Sequence, residues 1–328
     1  MLRLPPFRYL APRTLDEAVS MLAQEGEQAM LVAGGTDLYP NMKRRQFTPP
    51  VLIGLRGVAA LRGISGSPEE GMRIGAGVTL TTLAEHPVLK QHYTALAQAA
   101  GSVSTPQLRN VGTIGGNLLL DTRCNYYNQT EFWRQSIGYC MKKDGDVCLV
   151  APGSPRCWAI SSADTAPVLV SLGAQVGLVS VRGERIIAVG ELFRDDGMAP
   201  YTREADEILS EILLPPAPGW RSVYVKLRRR GSFDFPILGV AVALRGASDG
   251  TVADARITLG AVASHPVEAS EAASQLLGKQ LTPELIETVA TSAAKRAKPL
   301  DNADLTINYR KQVTPVYIRR ALNQLSNA

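Results

Sequence analysis

The sequence predicts an α+β fold, on three observations. The first is an opening helix–strand–loop–strand unit. Thr14-Leu15-Asp16-Glu17 has the capping-box pattern, with Thr14 as N-cap and Glu17 at N3. Leu15, Ala18, Val19 and Leu22 then give one apolar helical face, which Gly26 can end. Ala29-Met30-Leu31-Val32 reads as a buried strand and 51–55 as another. The second observation is a shift, after residue 61, to glycine-punctuated strands at 72–74 and 78–80, followed by a helical stretch over 83–100. Helix and strand resume at 164–172 and 174–181, and 209–214 is a further strand. The third is Pro215-Pro216-Ala217-Pro218-Gly219, the best linker signal in the chain. Beyond it, strands at 223–228, 237–244 and 253–260 precede helices at 268–277, 283–298 and 316–325. That pattern predicts a small three-stranded sheet backed by helices. The expected units are therefore 1–56, 57–215 with a distinct segment at 121–160, and 219–328. Residues 1–8 read as an extended arm.

A chain of 328 residues supports two or three packed cores. Hydrophobic content of 45% and charged content of 20% are ordinary for a globular protein. No apolar run has membrane-spanning length and no signal-peptide pattern opens the chain, so the expectation is a cytoplasmic protein with no membrane partner. Lys and Arg number 35 against 30 Asp and Glu, a formal +5. The basic runs Lys43-Arg44-Arg45 and Arg228-Arg229-Arg230 lack the interleaved aromatics of a nucleic-acid face and read as solvated surface. His86, His92 and His265 are scattered, and no zinc-protease motif, nucleophile elbow or Walker loop is present. Residues 75–80 (GAGVTL) lack the third glycine of a Rossmann fingerprint. No catalytic side chain emerges.

Two glycine-rich turns carry the binding chemistry. Residues 31–38 (LVAGGTDL) leave the first strand through two glycines, and Thr36 and Asp37 can start the next helix. Small residues at such a turn let backbone N–H groups converge on an anion, with the helix N-terminus adding partial positive charge. Residues 110–117 (NVGTIGGN) repeat that chemistry. Together they could grip a diphosphate from two sides, as a dinucleotide requires; singly, each could be no more than a tight turn.

The four cysteines, Cys124, Cys140, Cys148 and Cys157, stand close in sequence, with gaps of fifteen, seven and eight residues. Clustering of this kind in a cytosolic chain favours a metal or redox centre over disulfides. No C-x₂-C occurs, so neither a zinc ribbon nor a ferredoxin-type run is matched. Tyr126, Tyr127, Phe132, Trp133, Tyr139 and Trp158 crowd the same segment. Four thiolates in an aromatic shell suit an iron–sulfur cluster; a structural zinc or a set of free thiols uses the same residues.

In order, LVAGGTDL, GMRIGAGVTL, QLRNVGTIGGNL and SSADTAPVLVSLGA resemble the FAD-binding subunits of the xanthine oxidase family of molybdenum hydroxylases. The resemblance covers nearly the whole chain. It implies a two-subdomain FAD-binding domain of the PCMH, vanillyl-alcohol-oxidase-like type, followed by a small α/β domain as in CO dehydrogenase flavoproteins. It further implies that Leu31, Val32, Ala33, Gly34, Gly35, Thr36, Asp37 and Leu38 hold the FAD diphosphate. Thr113, Ile114, Gly115, Gly116 and Asn117 would add contacts, with Ser104 near the flavin. Asp164 falls on the family's S-x-x-D aspartate, Leu209 on a leucine packed against the flavin, and Lys226 on a lysine near the isoalloxazine. Backbone donors, an apolar wall and a cation are sensible partners for that cofactor.

The stretch from Asn117 to Asp164 is far longer than in most relatives and contains all four cysteines. It resembles the insertion of one branch, the β subunits of 4-hydroxybenzoyl-CoA reductases, which holds a 4Fe–4S cluster. That likeness implies Cys124, Cys140, Cys148 and Cys157 as cluster ligands and reduced ferredoxin as electron donor. The acceptors would be 2Fe–2S clusters in a small subunit and a molybdenum cofactor in a large subunit, assembled as a dimer of heterotrimers. Reduction of the aromatic substrate would take place outside this chain. The alternative is the FAD subunit of an oxidative hydroxylase delivering electrons to NAD or a quinone. A reading of another class is a flavin-free scaffold with zinc.

Overall fold

Three β-sheets, met in chain order, carry the fold; the computed structural model describes residues 2–326. The first is a parallel sheet of β1 (Arg8–Leu10), β2 (Ala29–Val32) and β3 (Val51–Gly54), in the order β1-β3-β2. Helix α1 (Leu15–Glu25) connects β1 to β2 and buries Ala18, Val19 and Leu22 beside Val51 and Ile53. Thr14 Oγ1 accepts from the Glu17 N–H at 3.1 Å, as its N-cap role requires. The reciprocal bond goes elsewhere: the Glu17 carboxylate accepts from the Arg13 N–H at 2.7 Å, so half of the capping box forms. The N-terminal arm runs into β1, and its Leu4 and Phe7 pack on Val32, Met42 and Leu52 (Met1 lies outside the described residues). Helix α2 (Leu38–Lys43) follows the first glycine-rich turn.

The second sheet is antiparallel. It comprises β4 (Ile64–Ser67), β5 (Gly71–Gly75), β6 (Gln175–Ser180), β7 (Gly183–Ala188) and β8 (Ile208–Leu214), in the order β4-β5-β8-β6-β7. Between β5 and β6 lie α3 (Leu80–Glu85), α4 (Pro87–His92), α5 (Thr94–Ser102), α6 (Pro106–Arg109), α7 (Ile114–Leu118), α8 (Glu131–Ser136) and α9 (Thr165–Leu172). Two expectations change here. Residues 78–80 are not a strand, because Thr79 caps α3 by accepting from the Thr82 N–H at 3.2 Å. The helical stretch at 83–100 is broken into three, one break falling where Pro87 opens α4. Every residue of α9 is buried.

The third sheet is antiparallel, ordered β12-β11-β10-β9, from β9 (Trp220–Leu227), β10 (Leu238–Gly246), β11 (Val252–Gly260) and the two-residue β12 (Val267–Glu268). The three long strands are those expected. Both faces of β10 are buried. Ala241 and Ala243 face the core shared with α5 and α9, whereas Val240, Val242 and Leu244 join the core under α11 and α12. Small side chains on the first face let those helices approach closely. Three helices complete the chain: α10 (Ser270–Ser274), α11 (Pro283–Ala294) and α12 (Ile307–Ser326). Helix α12 starts nine residues before the expected 316 and runs through Pro315. Among the described residues, no helix is long and apolar enough to cross a membrane.

Candidate functional site

The two glycine-rich turns, some eighty residues apart in sequence, touch. A methyl group built on Gly34 would overlap the Val111 carbonyl oxygen, so residue 34 has to be glycine for the first turn to lie against the second. Gly35 has φ +68°, and the Tyr39 ring occupies the place of a Cβ. The N–H groups of Gly34, Gly35 and Thr36 have no backbone acceptor among the described residues, which leaves them to a ligand. Helices α2 and α7 have only six and five residues. The expected helix-terminus contribution is therefore small, and the anion chemistry rests on the turn amides.

The second turn is pinned from within. Thr113 Oγ1 accepts from the Gly116 N–H at 3.1 Å. Asn117 Oδ1 accepts from the Thr165 N–H at 3.2 Å and hydroxyl at 2.7 Å, tying α7 to the start of α9. These elements wall a cleft of about 990 Å³. Leu31, Val32, Ala33, Gly34, Gly35, Thr36, Asp37, Leu38, Ser104, Thr113, Gly115, Gly116, Asn117, Asp164 and Leu209 line it. Ile114 is wholly buried in the core, and Lys226 does not line the cleft. Lys226 stands behind Asp164, its Nζ 2.9 Å from Oδ2, and also donates to the Ser102 carbonyl at 3.1 Å. Tyr224 OH donates to Asp164 Oδ1 at 2.8 Å. Burial raises the Asp164 carboxyl and lowers the Lys226 ammonium, and each group opposes the other's shift.

The sequence did not single out several lining residues. Arg44, Arg229 and Arg230 line the cleft, so two of the three residues in the basic run 228–230 serve it, and Arg228 donates to the Ser102 carbonyl at 2.8 Å. Lys43, Arg229 and Arg230 are exposed, as the solvated-surface reading expects, and the two arginines also stand at the rim of the cleft. Phe233 and Phe235 also line it. The Phe233 N–H donates to the Ser104 carbonyl at 2.9 Å, and both residues have positive φ, +71° and +47°. Non-glycine residues held there mark a wall fixed by its surroundings. Ser162 Oγ is buried beside the cleft with no partner. The cleft is mainly apolar, with turn amides at one side and arginines at its rim. Those features fit FAD.

All four cysteines are buried and none is paired in a disulfide among the described residues. Cys124, Cys140 and Cys157 pack in one cluster with Tyr127 and Ala159, and Cys124 also lines the cleft. Burial pushes the Cys124 thiol up to about 12, against backbone N–H donors from Tyr126 and Tyr127, with Cys157 and Cys140 adding to the rise. Burial likewise takes Cys157 to about 11, against the Ala159 N–H and Lys142, with Cys148 and Cys140 adding. Among the described residues no three His, Cys, Asp or Glu side chains stand as a metal-holding group. The residue types still suit an iron–sulfur cluster: four buried thiols, of which Cys124 and Cys157 accept backbone N–H bonds, one at 3.4 Å from Ala159. Such thiols become thiolates when a cation is supplied. The aromatic shell forms only in part. Tyr126 and Tyr127 pack on the cysteines, while Phe132 and Trp133 are exposed on α8 and Trp158 lies under Arg156.

Apart from α8, the segment 121–160 has almost no regular structure and is held by polar bonds. Arg123 and Ile160 exchange backbone bonds at 2.8 Å at its root. The buried Arg134 donates to the Arg44 and Arg45 carbonyls at 3.2 and 3.1 Å. Asn302 Nδ2 donates to the Trp158 carbonyl at 2.6 Å, and its own carbonyl accepts from the Asn125 N–H at 3.0 Å.

Comparison with known proteins agrees with this architecture. Residues 5–217 match the family described as the FAD binding domain in molybdopterin dehydrogenase, and 222–325 match the CO dehydrogenase flavoprotein C-terminal domain. The chain is 30% identical to the nicotine 6-hydroxylase medium subunit of Paenarthrobacter nicotinovorans, over 98% of each chain. It is 30% identical to the carbon monoxide dehydrogenase medium chain of Hydrogenophaga pseudoflava, over 97% of this chain and 96% of that one. A solved structure of that organism's carbon monoxide dehydrogenase superposes with TM-score 0.80 at 29% identity, covering 98% and 97% of the two chains.

Proposed function

The chain belongs to the FAD-binding subunits of the molybdenum hydroxylase family, and on that premise we propose that it is the flavo-iron–sulfur subunit of a 4-hydroxybenzoyl-CoA reductase. Its task in this reading is to carry electrons from reduced ferredoxin, by way of 4Fe–4S and FAD, toward 2Fe–2S clusters and a molybdenum cofactor on partner subunits. Dehydroxylation to benzoyl-CoA takes place on the molybdenum subunit. The observation that carries the reading is the segment 121–160, which buries four free cysteines and brings one of them, Cys124, to the wall of the cleft.

Bound FAD supplies a store for one or two electrons, and a 4Fe–4S cluster exchanges one at a time. The chain's own residues set the conditions. The Gly34, Gly35 and Thr36 amides would donate to the phosphate oxygens. Leu209 gives an apolar wall, and Asp164, kept charged by Lys226, fixes the Tyr224 and Ser102 side of the cleft. Cys124, Cys140, Cys148 and Cys157 would hold the cluster, with backbone N–H groups on two of the sulfurs stabilising the charge that reduction adds.

The names of the relatives favour a second reading: a nicotine 6-hydroxylase, a nicotinate dehydrogenase and a carbon monoxide dehydrogenase. On it, the chain is the FAD subunit of an oxidative hydroxylase and delivers electrons to NAD or a quinone. Both readings put FAD in the same cleft and give the chain a molybdenum-bearing large subunit and a 2Fe–2S small subunit as partners. They differ in what the cysteines hold and in the ferredoxin donor.

Metal, sulfide and flavin analysis of anaerobically purified protein, with EPR after dithionite, separates them. About four irons, four sulfides and one flavin per chain, with a reduced-cluster signal, are expected. Replacing any one of the four cysteines by Ser should lower the iron content and stop ferredoxin from reducing the flavin. Zinc or empty thiols alongside FAD would hand the decision to the oxidative reading.

A further inference from the structure

Arg123 immediately precedes Cys124, yet its side chain reaches the other cofactor's turn. Its Nη2 pairs with Asp37 Oδ1, and its Nη1 donates to Asn41 Oδ1 at 3.3 Å. The guanidinium lies 4.6 Å from the centre of the Phe235 ring. The residue is 8% exposed and lines the cleft, and its Nε has no partner. A guanidinium this buried is fixed by Asp37 and Asn41, both of which line the cleft. The pairing also answers an electrostatic problem: Asp37 would repel a phosphate at the first turn, and Arg123 neutralises it. Meanwhile the Arg123 backbone exchanges both of its bonds with Ile160, closing the root of the cysteine segment.

We propose that Arg123 couples the dinucleotide cleft to the cysteine segment, so that a filled cleft holds Cys124 in its buried position. With the ligand in place, the Asp37 pair is shielded from water and the Phe235 ring over the guanidinium is covered. Both fix the backbone one residue from Cys124. Coupling of this kind is reciprocal, so order at the cysteines tightens the dinucleotide in turn. The inference rests on reading the cleft as the FAD site, and it does not depend on which metal the cysteines take.

The test uses the full-length chain stripped of flavin and metal. N-ethylmaleimide labels it with and without saturating FAD, peptide mapping gives the rate at each cysteine, and flavin fluorescence in the same samples reports binding. FAD should slow alkylation of Cys124 at least about fivefold, with a smaller effect at Cys148. In Arg123→Gln the slowing should vanish although FAD still binds at saturation. Asp37→Asn cuts the same link from the other side and, with FAD raised until flavin fluorescence shows the same occupancy as wild type, serves if Arg123→Gln misfolds. FAD binding with unchanged Cys124 labelling, equal slowing of all four cysteines, or slowing that survives both variants overturns the coupling. A chain that binds no FAD overturns the cleft reading and this inference together. An iron-free preparation counts against the reductase alone.

Discussion

Asp164 is met by Lys226 Nζ on one oxygen and Tyr224 OH on the other, and all three side chains are buried. The resemblance put Lys226 near the isoalloxazine as a cation, and the fold gives that cation a carboxylate to neutralise. Replacing Lys226 by Met leaves that carboxylate buried without a counter-charge, and breaking such a pair costs about 3–5 kcal/mol. Asp164, whose carboxyl burial already raises, then answers by taking up a proton. Its folded-state affinity for the proton exceeds the unfolded one, so the variant's stability should rise as pH falls from 8 to 6. Urea titrations at both pH values read this. A flat stability with pH, or a loss under ~1 kcal/mol, would show that the pair is not structural. The example also marks what a single sequence can give. Asp164 was legible because it sits in a local motif. Its partners on β9 were not, since burial and pairing arise only when the third sheet closes on α9.

Elements read from the sequence pattern were found where the apolar signal is local, as in the one-faced α1 and the continuously apolar β10. They were missed where the signal is tertiary. Strand β7 is almost wholly exposed and has no inward alternation to betray it. Helix α12 was cut at Pro315, although a proline there costs one backbone bond in a helix otherwise held by Ile318, Ala321, Leu322 and Leu325 in the core. The cysteine segment is the extreme case, for its shape comes from polar straps supplied by distant elements. Asn302 is the clearest of these: Nδ2 holds the Trp158 carbonyl, and Oδ1 accepts from the buried Arg310 at 3.4 Å. Burial, with no carboxylate partner, lowers the Arg310 guanidinium to about 10. Asn302→Ala leaves the Trp158 carbonyl unpaired and removes one of the two acceptors of Arg310 Nη1, the Leu300 carbonyl remaining at 2.9 Å, at a cost of about 1–3 kcal/mol. The loss should concentrate on 121–160. Limited proteolysis should cut there several times faster, with cleavage elsewhere unchanged; a uniform acceleration would mean that Asn302 stabilises the chain as a whole.

At the scale of the molecule, the third sheet completes the cleft. Its Tyr224, Ala241 and Ala243 belong to the same core as α5 and α9, so the first two sheets alone would expose that face to water. Its Lys226 and Tyr224 satisfy Asp164, its 228–237 loop supplies Arg229, Arg230, Phe233 and Phe235 to the rim, and Asn302 and Ser264 hold the cysteine segment. A chain ending at residue 218 keeps both glycine-rich turns, the features most legible in the sequence, and loses everything that fixes their far wall. If the turns alone made the site, such a chain would bind FAD normally. The structure predicts otherwise: the 1–218 chain should aggregate, or bind FAD about a hundredfold or more weakly, a loss of ~2.7 kcal/mol. Adding residues 219–328 as a separate chain should restore part of that affinity, because the two pieces share one apolar core. Flavin fluorescence titrations of the full chain, the truncated chain and the mixture measure all three. Wild-type affinity in the truncated chain would reduce the third sheet to a platform for partner subunits.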